Sequence, residues 1–258
     1  IDAHAHLWKK QNGIVNGKPV YDIGGGRSDF GGEIKQMMPP YITDGENNVE
    51  RFLANMDYAG VSGAVITQEY IDGNQDDYLL QCRRQFPERM RVCCLYEEAP
   101  LEDRRVADFD GIKICAGRLA DQDLLQHRAV FAQADRLGKF ISIDLADGDL
   151  QTDAMQHLAE EFPSLLIAIG HFGMVTTPGW QKQIALAKNP NVYIESGGIT
   201  WLFHKEFYPY PSAIAAIREA IDICGIHKLM WGSDYPAAML RGRSVGVGKW
   251  QDWLIDDD

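Results

Sequence analysis

No stretch of this sequence stays apolar for the roughly 18 residues that a membrane-spanning helix needs, so a membrane is not an expected partner. Basic residues are scarce: 25 Lys and Arg stand against 37 Asp and Glu, a formal charge of −12. Nucleic acids and anionic lipid surfaces call for basic patches, so neither is expected to bind. An anionic small molecule held by a few local cations stays compatible with that balance. Cysteine is sparse and odd in number, with Cys82, Cys93, Cys94, Cys115 and Cys224 in no zinc-ribbon or Cys-x-x-Cys spacing. Several of them sit in apolar runs, which suits reduced, buried thiols and a cytoplasmic location. A phosphate-cradling loop is missing too. Gly24-Gly25-Gly26 is followed by neither Gly-Lys-Ser/Thr nor a helix start.

What is present begins at the first residue, with no signal-peptide pattern and no initiator Met, which leaves room for residues before it. Ile1-Asp2-Ala3-His4-Ala5-His6-Leu7-Trp8 reads as a strand with Asp2, His4 and His6 on one face. Two imidazoles at i and i+2 at a strand end come within reach of one divalent ion. Lys9 to Tyr41 reads as a long irregular stretch, with Gly24-Gly25-Gly26, Gly31-Gly32 and Pro39-Pro40, and is expected to be an active-site loop or lid (9–41).

From there strands and helices alternate. A helix at 47–59 carries Val49, Phe52, Leu53 and Met56 on one face and is closed by Gly60. Strands are expected at 61–69, 91–96, 111–116, 140–145, 165–172, 192–196 and 228–234. Helices are expected between them, at 75–86, 121–137, 151–162, 180–187 and 212–224, with a short one near 101–107. Eight strands in βα succession fit a single-domain (β/α)₈ TIM barrel over 1–258. A doubly wound sheet would want a nucleotide turn after its first strand, where this chain has His-x-His. The chain closes without an obvious final barrel helix beyond Lys249 to Leu254, so its C-terminal end is expected to be incomplete.

A barrel sends one parity of each strand inward, with chemistry at the C-terminal ends. The apolar alternation of these strands places His4, His6, Lys113, Asp144, His171, Glu195 and Asp234 inside. So many ionisable groups in one interior are costly without a shared role. His127 and His157 fall in helix patterns and are expected at the surface or at an interface. His204 lies in the aromatic loop after strand seven, on the active face, and Arg27 and Arg118 are candidates for holding an anion. Trp8 and Trp201 either wall the pocket or pack in the core.

Four motifs, IDAHAHLW, GIKI, IGHFG and MWGSDYP, occur in this order across nearly the whole chain. Together they resemble the amidohydrolase superfamily, specifically its amidohydrolase-2 branch of aminocarboxymuconate-semialdehyde decarboxylase-like enzymes and lactonases of sugar acids and dicarboxylates. The resemblance implies a metal-assisted hydrolase. By it, His4 and His6 are metal ligands or carbonyl polarisers, Asp234 a ligand or the general base, and His171 a ligand or the polarising residue. One divalent ion, Zn2+ first and Mn2+ if an Asp144 oxygen joins, is the expected cofactor, with metal-free operation as the rival. Lys113, Glu195, Arg27 and His204 are the expected substrate contacts. The expected substrate is a small carboxylate-bearing lactone or acid, and the sequence allows a homo-oligomer.

The resemblance also has a departure. Decarboxylase-like members carry a metal-binding histidine on strand five, where this chain has Asp144, and Cys115 stands where relatives have another histidine. Lactonase members often lack that histidine, and some need no metal. The departure favours lactone opening by water with Asp234 as base, over a metal-dependent non-oxidative decarboxylase of an unsaturated or aromatic acid.

Overall fold

The computed structural model describes residues 1–15, 17–203, 205–206 and 208–236. Eight parallel strands stand side by side in chain order: Asp2–His6, Ala64–Thr67, Met90–Leu95, Gly111–Cys115, Phe140–Asp144, Ile167–Ile169, Val192–Glu195 and Leu229–Met230. The eighth meets the first through the residues that follow it. Ala3 N–H donates to Trp231 O at 2.9 Å, Asp234 N–H to His4 O at 2.8 Å, and His6 N–H to Tyr235 O at 2.8 Å. This seam closes a (β/α)₈ barrel.

The sequence dictates that closure locally. Strands such as Gly111–Cys115 are buried along their whole length, as parallel strands covered on both faces must be. Ile112 and Ile114 pack outward among the helices while Lys113 and Cys115 go inward. The first helix, Val49–Ala59, shows how a helix of this barrel is bounded. Asn48 caps it by accepting from Arg51 N–H, Val49, Phe52 and Met56 face the barrel, and Gly60 ends it at a φ of 68°. No helix among the described residues is long and apolar enough to cross a membrane.

Two expectations change. Residues 9–41 are not irregular: they contain a four-stranded antiparallel meander, Ile14–Val15, Lys18–Gly24, Arg27–Phe30 and Ile34–Gln36. The glycines that read as loop are its hairpin turns, where Gly25, Gly26, Gly31 and Gly32 all have positive φ. Beside it, Trp8, Met38 and Ile42 make a small apolar cluster of their own. His127 is buried rather than at the surface. A 3₁₀ turn, Leu124–His127, precedes the helix Arg128–Arg136 and turns the imidazole inward. Its Nε2–H donates to Asp121 O at 2.7 Å, so Nδ1 accepts from the Tyr96 hydroxyl at 3.0 Å.

Candidate active site

At the C-terminal mouth of the barrel, three side chains converge, two from its first strand and one from the turn after its last. His4 Nε2 and His6 Nε2 are 3.0 Å apart, His6 Nε2 is 3.2 Å from Asp234 Oδ1, and His4 Nε2 is 3.7 Å from the same oxygen. Two bare imidazole nitrogens at 3.0 Å need a proton or a cation between them. Tetrahedral ligands at zinc-like bond lengths of 2.0–2.1 Å would stand about 3.3 Å apart, and the three separations bracket that edge. Each imidazole also has a carboxylate at its other nitrogen, as metal-bound histidines usually do. His4 Nδ1–H donates to Glu195 Oε1 at 2.8 Å, and Asp72 Oδ2 lies 3.4 Å from His6 Nδ1. The donor set therefore fits one divalent ion.

Local backbone makes this convergence. Asp234 has a φ of 54° and His171 a φ of 53°, left-handed values that non-glycine residues rarely adopt. Asp2, on the same strand as the histidines, does structural work: Oδ1 accepts from the N–H groups of His4 and Ser233, and Oδ2 from the Ser233 hydroxyl. It ties the His-x-His strand to the Gly-Ser-Asp turn. The two motif glycines are needed for space. A Cβ at Gly232 would come within 2.6 Å of Glu195 Oε2, and one at Gly170 within 2.0 Å of Asp144 Oδ1.

Charge is shared across the cluster. Burial pulls the His6 imidazole down, but its hydrogen bond to Asp234 and the nearby Asp72 carboxylate outweigh this and raise it to about 10. Burial likewise opposes the charge on His171, and the adjacent Asp144 carboxylate overrides it, again to about 10. Burial pushes Asp234 up, yet the hydrogen bond from His6 and the charge of His171 hold it well below the usual carboxylate range. The second oxygen of Asp234 accepts from Trp201 Nε1–H at 2.6 Å, and the Trp201 ring meets the His171 ring edge-on.

The expected residues divide into three groups. His4, His6 and Asp234 form the triangle. His171 and Asp144 stand beside it: His171 Nε2 is 3.6 Å from Asp144 Oδ2, and its Nδ1–H donates to Gly197 O at 3.1 Å. Lys113 and Glu195 lie beneath the site and do not touch the cavity, contrary to the expectation of substrate contact. Lys113 is wholly buried, its Nζ 2.6 Å from Asp144 Oδ2, which pins that carboxylate. Glu195 is consumed by His4 and by the backbone N–H groups of His171 and Gly197. Arg27 is exposed on the meander, donating to Gly24 O, away from the cavity. His204 lies outside the described residues. Asp72 had not been anticipated: an Asp-Gly pair after a strand reads as an ordinary turn.

Above the triangle opens a cavity of about 610 Å³, walled by Trp8, Met37, Met174, Leu145 and Trp201, with His6, His171, Asp144 and Asp234 at its floor. Five carboxylates line it (Glu69, Asp72, Asp144, Asp147, Asp234) against one guanidinium, Arg118, and the two imidazoles. Arg118 is paired with Glu69, Nε to Oε1 at 2.9 Å.

Comparison with known proteins agrees with this architecture. A family model described as Amidohydrolase matches residues 1–255. The L-fucono-1,5-lactonase of Burkholderia ambifaria is 26% identical over 279 residues, covering 98% of this chain and 86% of that protein. Among solved structures, an amidohydrolase from Burkholderia multivorans with bound zinc superposes with a TM-score of 0.66 at 15% identity, covering 98% of this chain and 91% of that one. A probable 2-pyrone-4,6-dicarboxylic acid hydrolase from Acinetobacter baumannii, with citric acid bound, superposes with a TM-score of 0.63 at 18% identity and the same coverage. The two superpositions show a common fold.

Proposed function

This chain belongs to the amidohydrolase family, and from that premise we propose that it is a hydrolase that opens a sugar-acid lactone by attack of water. The observation that carries the reading is the Asp234 carboxylate, held at the His4–His6 triangle on the floor of a cavity. The similarity to a lactonase over nearly the whole chain supports the choice of bond.

His4, His6 and Asp234 Oδ1 would hold a divalent ion, zinc by ligand type, which when bound polarises a carbonyl and eases deprotonation of water. The remaining work falls to the chain itself. Trp201 uses one lone pair of Asp234 Oδ2 and leaves the other to take the proton of the attacking water. The water oxygen bonds to the lactone carbonyl carbon and the ring C–O bond breaks. His171, kept charged by Asp144, stands where it can protonate the departing ring oxygen. The product is a hydroxy acid, so turnover acidifies the solution.

The wall selects among lactones. Five carboxylates repel a dicarboxylate but accept hydrogen bonds from hydroxyl groups, and the one arginine is already paired with Glu69. A neutral polyhydroxy lactone is therefore the preferred class, and the same wall disfavours the anionic substrates that a decarboxylase would need. The test is a panel of sugar lactones, dicarboxylate lactones and aromatic acids, run with and without chelator. Acid release above the spontaneous rate from neutral sugar lactones, reduced by chelator, is expected. Carbon dioxide release from hydroxybenzoate-type acids with no lactone turnover would overturn the proposal.

A further inference from the structure

We infer that the meander positions the ligating nitrogen of His6 through a buried relay, Ser28 to Gln11 to Asp72. The inference rests on the metal-holding role given above to His4, His6 and Asp234. Ser28, on the third strand of the meander, donates its hydroxyl to Gln11 Oε1 at 2.6 Å. Gln11 Nε2–H donates to Asp72 Oδ1 at 3.2 Å, and Asp72 Oδ2 faces His6 Nδ1 at 3.4 Å, an ion-pair separation. Relative exposure along the path is 0% for Ser28, 1% for Gln11, 4% for Asp72 and 8% for His6, so the relay runs from the buried meander to the cavity floor.

The relay has one direction. A carboxylate only accepts, so the amide of Gln11 must turn its N–H end to Asp72, which leaves its oxygen for a donor. Ser28 is that donor. With Oδ1 so engaged, Asp72 offers Oδ2 to His6, and the one proton that stays on the ring when a cation takes Nε2 belongs on Nδ1. Its Nε2 lone pair then points at His4 Nε2 and Asp234 Oδ1, where a cation would sit.

The frame around the relay is stitched by backbone. Asn12 N–H donates to Asp72 O and Ile14 N–H to Tyr70 O, each at 3.2 Å, and Gln75 Nε2–H donates to Lys10 O at 3.0 Å. Gly13 lies so close to this loop that a Cβ there would sit 1.9 Å from Tyr70 O. The segment leading into the meander is therefore docked on the loop that carries Asp72. Partners at the far nitrogen of a ligating histidine typically matter 10- to 100-fold in metal affinity.

The experiment measures zinc affinity by competition with a chromophoric chelator, on the full chain stripped of metal and checked for fold by circular dichroism. Asp72→Asn should weaken zinc binding about 10- to 100-fold. Ser28→Ala and Gln11→Met, which leave Asp72 in place, should each weaken it about threefold to tenfold, as a fraction of that effect. In the Asp72→Asn background, Ser28→Ala should have no further effect, because its influence runs through that carboxylate. Tyr21→Phe, an exposed change in the same meander, should keep wild-type affinity. Wild-type affinity in both Ser28→Ala and Gln11→Met would overturn the relay, as would a Ser28→Ala effect of equal size without the Asp72 carboxylate. Absence of zinc binding by the wild-type chain would overturn the metal reading and the relay with it. A failure of lactone turnover alone would leave the affinity result standing.

Discussion

Asp234 is held at a φ of 54°, a conformation that costs an aspartate about 1–2 kcal/mol, and its surroundings must hold it there. Trp201 supplies a charge-assisted hydrogen bond to Oδ2 and seam hydrogen bonds fix the backbone on either side. Asp234→Asn keeps the shape and removes the base, so kcat should fall at least about 100-fold with the circular dichroism spectrum unchanged. Near-normal turnover would move the proton acceptor elsewhere. Trp201→Phe keeps a ring beside His171 but removes the donor. It should lower kcat about tenfold or more, the worth of a hydrogen bond to a charged group, with a smaller change in KM. Lys113 answers a different question. If it holds Asp144 and not substrate, Lys113→Met leaves that carboxylate facing His171 alone and should destabilise the fold by about 1.5–3 kcal/mol, the worth of a hydrogen bond to a charged group, while substituting Asp144→Leu as well should recover part of the loss. A raised KM in Lys113→Met with an unchanged melting temperature would return Lys113 to the substrate. The sequence could not separate these cases. Alternation tells which face of a strand a side chain takes, but not how far along the barrel axis it reaches. Lys113 and Glu195 were read correctly as inward, yet they lie beneath the floor. His4, His6 and Asp234 were legible because each sits in a motif, His-x-His in the first strand and Gly-Ser-Asp just after the last.

Among the elements, the barrel strands were the easiest to read. Apolar runs such as Phe140–Asp144 are long enough for alternation to emerge, and a glycine marks the end of several preceding helices. The meander was not legible, for a physical reason: strands of two, seven, four and three residues are mostly too short to show a period of two, and their turns carry most of the glycine. Asp72 escaped notice for the same reason, since only the three-dimensional docking of 9–14 against 70–75 gives it a role. Met37, just past the last meander strand, reaches the cavity wall. We propose that the 9–41 segment contributes part of the substrate wall through this residue. Met37→Ala should then raise KM severalfold and leave kcat near wild type, and unchanged kinetic constants would place the meander outside substrate contact.

At the scale of the whole molecule, the barrel is closed by hydrogen bonds between residues 3–6 and 231–235. The triangle of His4, His6 and Asp234 straddles that seam, with Asp234 228 positions along the chain from His6. An ion there would therefore be a crosslink between the first strand and the last. Occupancy and closure then share one free energy: at a free ion concentration 100 times the dissociation constant, closure gains about 2.7 kcal/mol. Hydrogen exchange should report this unevenly. Zinc should slow exchange at the Ala3, His6 and Asp234 amides, which bridge the seam, more than at Ile141 and Ile167 on the far side of the barrel. Uniform protection would show the ion acting on global stability alone. The coupling also runs in reverse, because linkage between two equilibria is reciprocal. Any substitution that loosens the last strand, however far from the cavity, must lower apparent affinity for the ion in proportion to the closed population it removes, so an apparent loss of cofactor can begin as a defect in the circumference of the barrel.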